Sequence, residues 1–327
     1  MSTTENASPR GTYTEEDFRK IGDQVRNWGR WGDADQIGTL NFITPEIIAD
    51  AAKLVKRGAT FALGIPFDAA GPQLGKHGRN NPLHVMTETG DGQNFPGPFR
   101  YADDYIVMPL QGASQWDGLS HVFYDGKMYN GYSSDENVTP HGAATLGIEH
   151  IADGVAGRGV LLDVAKHRGV DWLQMGEVIT PEELDAVAAA QGVEVRSGDI
   201  LCVRTGWRKK FLADGHGQEF MAGEPGIGMG AIEWLHRKEV AAIACDNWAV
   251  EVLEPSEGFF CGEIHDMVLN VHCILIRDMG LTLGEILDFE LLAADCASDG
   301  IYEFFFCGPP LQVTGAVGSP INPLAFK

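Results

Sequence analysis

LQGASQWDGLSHVFYDGKMYNGY, residues 110–132, contains two glutamines, Gln111 and Gln115, among small residues. An aspartate, Asp117, and a histidine, His121, follow at intervals of two and four residues. On an irregular strand-and-turn backbone these side chains can converge on one point, and the small residues let a substrate or ion approach the main chain. The stretch therefore predicts a reaction centre. A polar turn after a strand is the alternative.

His121 is the candidate proton carrier of this stretch. Hydrolysis needs a group that activates water and returns a proton to the leaving group, and an imidazole titrates near physiological pH. Asp117 precedes it by four residues and is its expected partner. We therefore predict that His121 and Asp117 are catalytic. A lone histidine with a structural role is the alternative.

Apolar strands alternate with helices outside this stretch, which predicts an α/β fold. Residues 157–166, GRGVLLDVAK, are typical of a strand covered on both faces. Thr180 and Pro181 begin a helix, with threonine as the N-cap and proline in the first turn. We expect a flexible N-terminal arm over residues 1–14. A single domain over residues 15–327 follows, with a mixed β-sheet or barrel-like core flanked by helices.

Several stretches carry more specific structural expectations. Residues 68–100 are rich in Gly, Pro and Asn, which predicts a long loop that is either a lid or plain surface. Residues 264–280 are expected to form an apolar helix that carries His265 and His272. Residues 281–295 are predicted to form a turn followed by a helix, and residues 310–317, PLQVTGAV, a strand.

Charge and cysteine usage exclude several classes of function. A formal net charge of −22 argues against binding nucleic acid or an anionic membrane. Six cysteines without a CxxC pair indicate reduced thiols in a cytoplasmic protein. We expect no signal peptide and no membrane span, because the chain has no long apolar segment. It also lacks dinucleotide-binding and Walker motifs, so we expect a small-molecule substrate and no nucleotide cofactor.

Segments spread along the chain resemble one protein family. They are WGRWGDADQIGTLNFITP at 28–45, RGVLLDVA at 158–165, DILCVRTGW at 199–207, ACDNWAVEV at 244–252 and GSPINPLAF at 318–326. With the motif at 111–121, the chain resembles the cyclase family that includes kynurenine formamidase and isatin hydrolase. The family signature is HxxxHxDxxxH, and this chain has Gln111, Gln115, Asp117 and His121 at those four positions. The resemblance implies the family fold and a homodimer or homotetramer.

The resemblance also implies a metal site. In the family, the first two histidines and the aspartate bind zinc or manganese, and a later His and Glu complete a second position. Asp117, His272 and Glu285 are therefore candidate ligands, with Gln115 in place of a histidine. An amide oxygen suits Mg²⁺ or Mn²⁺ better than Zn²⁺, so one manganese or magnesium ion is favoured over zinc. Alternatively, no metal is bound, and the glutamines orient the substrate by hydrogen bonds.

The predicted reaction is hydrolysis of a carbonyl C–N or C–O bond in a small cyclic or aryl-bearing amide, imide or lactone. The alternative is a metal-independent cyclase, isomerase or dehydratase, or a small-molecule binding protein, on the same fold. The candidate substrate-binding residues are Gln111, Ser114, Trp116, Phe123, Tyr124, Arg204 and Trp248. Packing in the core is the alternative for the aromatic residues, and balancing an acid is the alternative for Arg204.

Overall fold

The computed structural model describes residues 12–256, 259–264 and 266–327. Nine of its strands form one curled sheet, half of a barrel, and helices flank that sheet. In chain order the strands are β1 Thr60–Ala62, β2 Leu83–Glu88, β3 Asp103–Val107, β4 Gln115–Asp117, β5 Val138–Thr139, β6 Gly142–Ala143, β7 Ala156–Asp163, β8 Val178–Ile179, β9 Ile200–Arg204, β10 Gly226–Ile227, β11 Ala242–Cys245, β12 Glu254–Ser256, β13 Phe259–Cys261, β14 Thr282–Glu285, β15 Glu303–Cys307, β16 Gly318–Pro320 and β17 Leu324–Phe326.

The helices lie between these strands. They are α1 Glu15–Gln24, α2 Pro45–Ala52, α3 Ser134–Asn137, α4 Val164–His167, α5 Pro181–Gln191, α6 Trp207–Ala213, α7 Ala231–Arg237, α8 Asn270–His272 and α9 Glu290–Asp299. A π-helix, Cys273–Met279, continues α8. Short 3-10 helices occupy Gly38–Phe42, Lys76–Gly78, Tyr129–Gly131, Ile148–Ile151 and Gln218–Met221.

The order of the large sheet is β1-β17-β15-β7-β9-β11-β14-β4-β16. The strands β7, β9, β11 and β14 run parallel, and the remaining neighbours are antiparallel. Successive residues of β7 pack into different apolar clusters, Leu161 on one face and Leu162 on the other. Because apolar clusters cover both faces of the sheet, consecutive residues in the middle of the strand are apolar instead of alternating with polar ones. The predicted mixed sheet flanked by helices is confirmed.

The beginning of the described chain is part of the fold. Thr14 caps α1, because its Oγ1 accepts the backbone N–H of Asp17 at 3.2 Å. Tyr13 pairs with Ile264 in an isolated bridge. Of the arm predicted over residues 1–14, residues 1–11 lie outside the described residues, and so does His265.

Four predicted elements differ in the structure. The helix predicted over 264–280 begins only at Asn270 and continues as the π-helix Cys273–Met279. Residues 282–285 form β14 rather than a turn, and a Cβ at Gly284 would lie 2.5 Å from the Trp116 ring of the adjacent strand. A glycine there allows close packing of β4 against β14, which periodicity does not reveal. The strand predicted over 310–317 is absent, and β16 begins at Gly318 instead. The predicted 68–100 loop contains β2, which pairs with β3.

Candidate active site

Strand β4 positions the centre of the site. Gln115 and Asp117 are two residues apart and therefore face the same side of the sheet, whereas Trp116 faces the other side. Gln115 lies opposite Glu285 of β14 in the antiparallel pairing, so both side chains are on one face. All of these side chains are buried. The carboxylates of Asp117 and Glu285 therefore meet next to an amide.

Gln115 connects those two carboxylates. Its Nε2 donates to Oε2 of Glu285 at 2.6 Å and to Oδ1 of Asp117 at 3.2 Å. Its Oε1 is buried and has no hydrogen-bond partner among the described residues. The amide thus gives each carboxylate a donor, and one of its own polar atoms is left without a contact.

Helix α8 brings His272 to the same cluster. Its Nε2 lies 3.0 Å from Oε1 of Glu285 and 3.8 Å from Oδ2 of Asp117. Its Nδ1 lies 2.8 Å from Oε1 of Glu251, an oxygen that also accepts the backbone N–H of His272. Burial lowers the pKa of His272, but the hydrogen bonds with Glu251 and Glu285 outweigh it and raise that pKa to about 10. Glu251 therefore fixes the ring with Nε2 directed at the two carboxylates.

Asp117, His272 and Glu285 fit a divalent cation. Each offers one ligand atom, and these atoms lie within 4.8 Å of one another. Asp117, Glu251 and Glu285 are each at most 2% exposed, and a protonated His272 supplies only one positive charge beside them. Burial and the Asp117 carboxylate raise the pKa of Glu285 to about 7, as expected for crowded buried acids. A cation would balance this charge.

His121 borders the cluster on its more exposed side. Its Nε2 lies 3.7 Å from Oδ2 of Asp117 and 3.3 Å from Nη2 of Arg79. Burial lowers the pKa of His121, the Asp117 carboxylate raises it, and Arg79 lowers it further, so the net shift is downward. The imidazole is therefore neutral near pH 7 and able to accept a proton. Phe123, two residues further along, is exposed.

Two buried acids hold the segment that leads to Glu251. Asp246 follows β11 and accepts two backbone N–H groups from the turn after β9, both at 2.8 Å. Glu224 accepts the N–H groups of Trp248 and Ala249 at 2.6 and 2.7 Å. These bonds satisfy backbone donors in a buried loop and fix the path of the chain toward His272.

Gln111 also reaches the site. A Cβ added at Gly318 would lie 2.6 Å from Nε2 of Gln111, and Gly318 is opposite Asp117 in the sheet. The Gln111 side chain therefore covers the sheet on the Asp117 face. Its Nε2 has no hydrogen-bond partner within the described ranges, and neither does Nε1 of Trp248. The Trp248 ring packs edge-on against Phe260.

Two residues proposed for substrate binding have structural positions instead. Trp116 is fully buried on the opposite face, where its ring contacts Phe306 and its Nε1 donates to the carbonyl of Gly308 at 2.6 Å. The Oγ of Ser114 donates to the carbonyl of Ile286 at 2.5 Å and ties β4 to the end of β14. Neither side chain has a free surface for substrate.

Arg204 and Tyr124 are likewise bound within the fold. The guanidinium of Arg204 pairs with Asp163 at 2.9 Å and with Glu290 at 2.8 Å, so its charge is balanced internally. The hydroxyl of Tyr124 donates to the buried carboxylate of Asp278. The structure therefore brings together Gln111, Gln115, Asp117, His121, His272 and Glu285. Arg79 and Glu251 join this set through their contacts with His121 and His272. The sequence allows either a site role or a capping role for Glu251 at the end of its strand, and it gives no signal for Arg79.

Comparisons with known proteins agree with this fold. Residues 32–252 match the model of the family described as "Putative cyclase". A crystal structure described as a novel cyclase is 41% identical, with a TM-score of 0.84. That match covers 93% of this chain and 100% of the other chain. The chain belongs to the cyclase family.

More distant structures share the fold alone. An isatin hydrolase bound to the product analogue thioisatinate is 19% identical, with a TM-score of 0.58, over 86% of this chain and 98% of that chain. Isatin hydrolase A from Labrenzia aggregata, bound to benzyl benzoate, is 17% identical with a TM-score of 0.58, over 84% and 94% of the respective chains. No curated protein matches the sequence. Among the described residues, no helix is long and apolar enough to cross a membrane.

Proposed function

We propose that this protein hydrolyses a carbonyl C–N or C–O bond in a compact cyclic or aryl-bearing amide, imide or lactone. The observation that supports the proposal is the position of His121, whose Nε2 lies 3.7 Å from Oδ2 of Asp117 in a cluster suited to a cation. A base in this position can activate water, and a cation in the cluster would polarise the substrate carbonyl. The isatin hydrolases that share the fold are hydrolases by name, which supports the reaction class.

His121 moves the proton in this proposal. Its Nε2 takes a proton from water as the water oxygen bonds to the carbonyl carbon. The same nitrogen then gives that proton to the leaving nitrogen or oxygen as the C–N or C–O bond breaks, so the proton balance closes. Asp117 stabilises the imidazolium formed in between, and Arg79, 3.3 Å from His121, supplies positive charge for the developing oxyanion.

Asp117, His272 and Glu285 would hold one divalent cation, and the amide of Gln115 would turn from its present orientation, with Nε2 toward the carboxylates, to offer Oε1 as a further donor. Such an ion polarises the substrate carbonyl when it is bound. Oxygen donors outnumber the single imidazole nitrogen in this set, which favours manganese or magnesium over zinc. Glu251 keeps Nε2 of His272 directed at the ion position through its contact with Nδ1.

An apolar cluster beside the strand ends suits the substrate class. It contains Ala113, two residues before Gln115, and Ile286, directly after Glu285. Trp248 packs against this cluster, and its Nε1 is a buried donor without a partner among the described residues. We propose that Trp248 and Gln111 donate to polar atoms of the substrate, because a buried unpaired donor is costly unless a ligand satisfies it.

A second candidate function rests on Gln115. Its Nε2 already donates to Glu285 and Asp117 at 2.6 and 3.2 Å, which partly offsets their charge with an amide dipole. Carboxylates held by an amide in this way suit a metal-independent cyclase, isomerase or dehydratase that moves protons through His121. Removal of divalent ions distinguishes the two candidates.

Ion removal is expected to lower hydrolysis of the best substrate in a panel of aryl amides, imides and lactones at least about tenfold. Activity is measured after chelation and dialysis, and again after stoichiometric Mn²⁺, Mg²⁺ or Zn²⁺ is added. Manganese or magnesium is expected to restore more activity than zinc. Hydrolysis that is unchanged by chelation would reject the role of the ion. Products of isomerisation or dehydration, without hydrolysis of any panel member, would favour the second candidate.

A further inference from the structure

Helix α6 carries a buried arginine, Arg208, that lies against the apolar cluster beside the strand ends. The residue is 6% exposed, and its guanidinium carbon is 5.1 Å from the centre of the Phe211 ring. Phe211 belongs to that cluster together with Ile286, the residue directly after Glu285. The same apolar cluster therefore contacts the Arg208 guanidinium and the strand that carries a candidate ligand of the active site.

Arg208 is poorly paired for a buried cation. Its Nε has no hydrogen-bond partner among the described residues, and Oδ2 of Asp288 is 3.7 Å away, beyond hydrogen-bond distance. Asp288 already serves the start of α9, where its Oδ1 accepts the backbone N–H of Glu290 at 3.1 Å. Burial lowers the pKa of Arg208 more than the carboxylates of Asp288 and Asp68 raise it. The guanidinium thus has donors to give to a further anion.

The other buried arginines differ from Arg208 in this respect. Three more are buried among the described residues, and each has a carboxylate within hydrogen-bond distance. They are Arg158 with Asp199 at 2.7 Å, Arg204 with Glu290 at 2.8 Å, and Arg277 with Asp278 at 2.6 Å. A buried charge without such a partner is costly until a ligand satisfies it. The position of Arg208 is therefore that of a ligand-binding cation.

We propose that Arg208 binds a carboxylate of the substrate, remote from the carbonyl that is hydrolysed. This inference rests on the proposed function and restricts its substrate class to aryl amides, imides or lactones that carry an acid group. A planar guanidinium pairs with a carboxylate through two parallel N–H···O bonds. Half-buried side chains that pack against the apolar cluster would contact the aryl ring. They are Phe67, Met108, Met175 and Trp248.

The overall charge of the protein makes a local cation necessary for such a substrate. The formal net charge is −22, and Asp117, Glu251 and Glu285 are buried at the candidate active site. An anionic substrate is repelled by this field unless a positive group attracts its acid end. Arg208 supplies that group on the apolar cluster, whereas Arg79 lies beside His121, where the carbonyl reacts.

Benzoate and benzamide test the assignment, because they differ in charge but little in shape. Calorimetric titration of chelated wild-type protein, in which no ion competes for benzoate, is expected to give at least about tenfold higher affinity for benzoate. Arg208→Gln should abolish this preference and leave the benzamide affinity within about twofold, which also shows that the variant folds. Arg208→Lys keeps the charge without the planar fork and should retain part of the preference.

An exposed arginine provides the matched control. The side chain of Arg196 is 59% exposed, and Arg196→Gln removes the same charge from the surface. This variant should keep the full preference for benzoate over benzamide. Equal wild-type affinities for the two compounds, or a benzoate preference that survives Arg208→Gln, overturn the proposal.

A variant of Asp288 tests the same site with Arg208 left in place. Asn at this position can still accept the N–H of Glu290, and it removes the negative charge nearest to the guanidinium. Asp288→Asn is therefore expected to tighten benzoate binding at least about threefold and to leave benzamide binding unchanged. An unchanged benzoate affinity in this variant would also count against a carboxylate site at Arg208.

The outcome is distinguishable from that of the proposed function, because binding is measured without turnover. A benzoate preference that depends on Arg208, in a protein that hydrolyses no member of the substrate panel, would keep the anion site and reject hydrolysis. Hydrolysis of uncharged panel members without any benzoate preference would keep the reaction and reject the role of Arg208. Where both hold, Arg208→Gln should raise KM at least about tenfold for a carboxylate-bearing member alone.

Discussion

Replacing His121 by alanine is expected to lower kcat about 10²- to 10⁴-fold, the usual contribution of a positioned acid–base group. The Nε2 of His121 lies 3.7 Å from Oδ2 of Asp117 and 3.3 Å from Nη2 of Arg79. Alanine keeps the backbone and removes the proton carrier. The effect should appear in kcat more than in KM, because the lost interaction belongs to the transition state. Initial rates on the best substrate of the panel provide the measurement.

The control for His121→Ala is a histidine outside the site. His141 is exposed in the turn between β5 and β6, and His141→Ala should retain wild-type rates. Both variants should melt within a few degrees of the wild type, since neither removes a large buried apolar group. Wild-type kcat in His121→Ala would reject His121 as the proton carrier.

Replacing Gln115 by histidine is expected to raise the affinity for Zn²⁺ at least about 10- to 100-fold. Gln115 reaches both Glu285 and Asp117, so an imidazole at this position would stand next to the same carboxylates. Imidazole nitrogen is a preferred zinc ligand, whereas a neutral amide oxygen is a weak one. The affinity for Mn²⁺ should change less, which reverses the ion preference. Calorimetric titration of chelated protein with each ion measures both affinities directly.

An exposed glutamine provides the matched control for this variant. Gln24, the last residue of α1, is exposed, and Gln24→His adds the same imidazole far from the carboxylates. It should leave both affinities unchanged. Equal zinc affinities of wild type and Gln115→His would show that residue 115 does not contact the ion.

The central sheet was predictable where sequence pattern and burial agree. Strands β7 and β9 contain the apolar runs 160–162 and 200–203, since apolar clusters cover both faces of the sheet. Helix α5 begins where Thr180 and Pro181 predict, and Gly192 ends it in the left-handed conformation. These signals are local, so they can be read from neighbouring residues in the chain.

Other parts of the fold depend on contacts between distant segments. Glu285 and Gln115 are adjacent only because β14 and β4 pair, and the short segment TLGE has no distinct strand signature. Trp116 fills the opposite face of the sheet, which its position in a polar motif does not reveal. A strand of three residues gives too few alternations to assign each face from sequence.

The site was predictable where the family motif survives. The structure brings Asp117, His272 and Glu285 within 4.8 Å of one another, as the resemblance implies for candidate ligands. Arg79 carried no signal, because it lies in a Gly- and Asn-rich segment and contacts His121 through tertiary folding alone. Glu251 lies in the loop after β11. It orients the His272 ring only because the fold places α8 next to that loop.

Asp117, His272 and Glu285 are proposed to hold one divalent ion beside His121. Calorimetric titration of Mn²⁺ into chelated wild-type protein and into Asp117→Asn tests this proposal most directly. Asp117 contacts Gln115, His272 and His121, so its replacement removes the carboxylate shared by the ion position and the proton carrier. We expect one ion per wild-type chain and at least about a tenfold weaker affinity in Asp117→Asn. No binding to the wild type, or equal affinity in the variant, would contradict it.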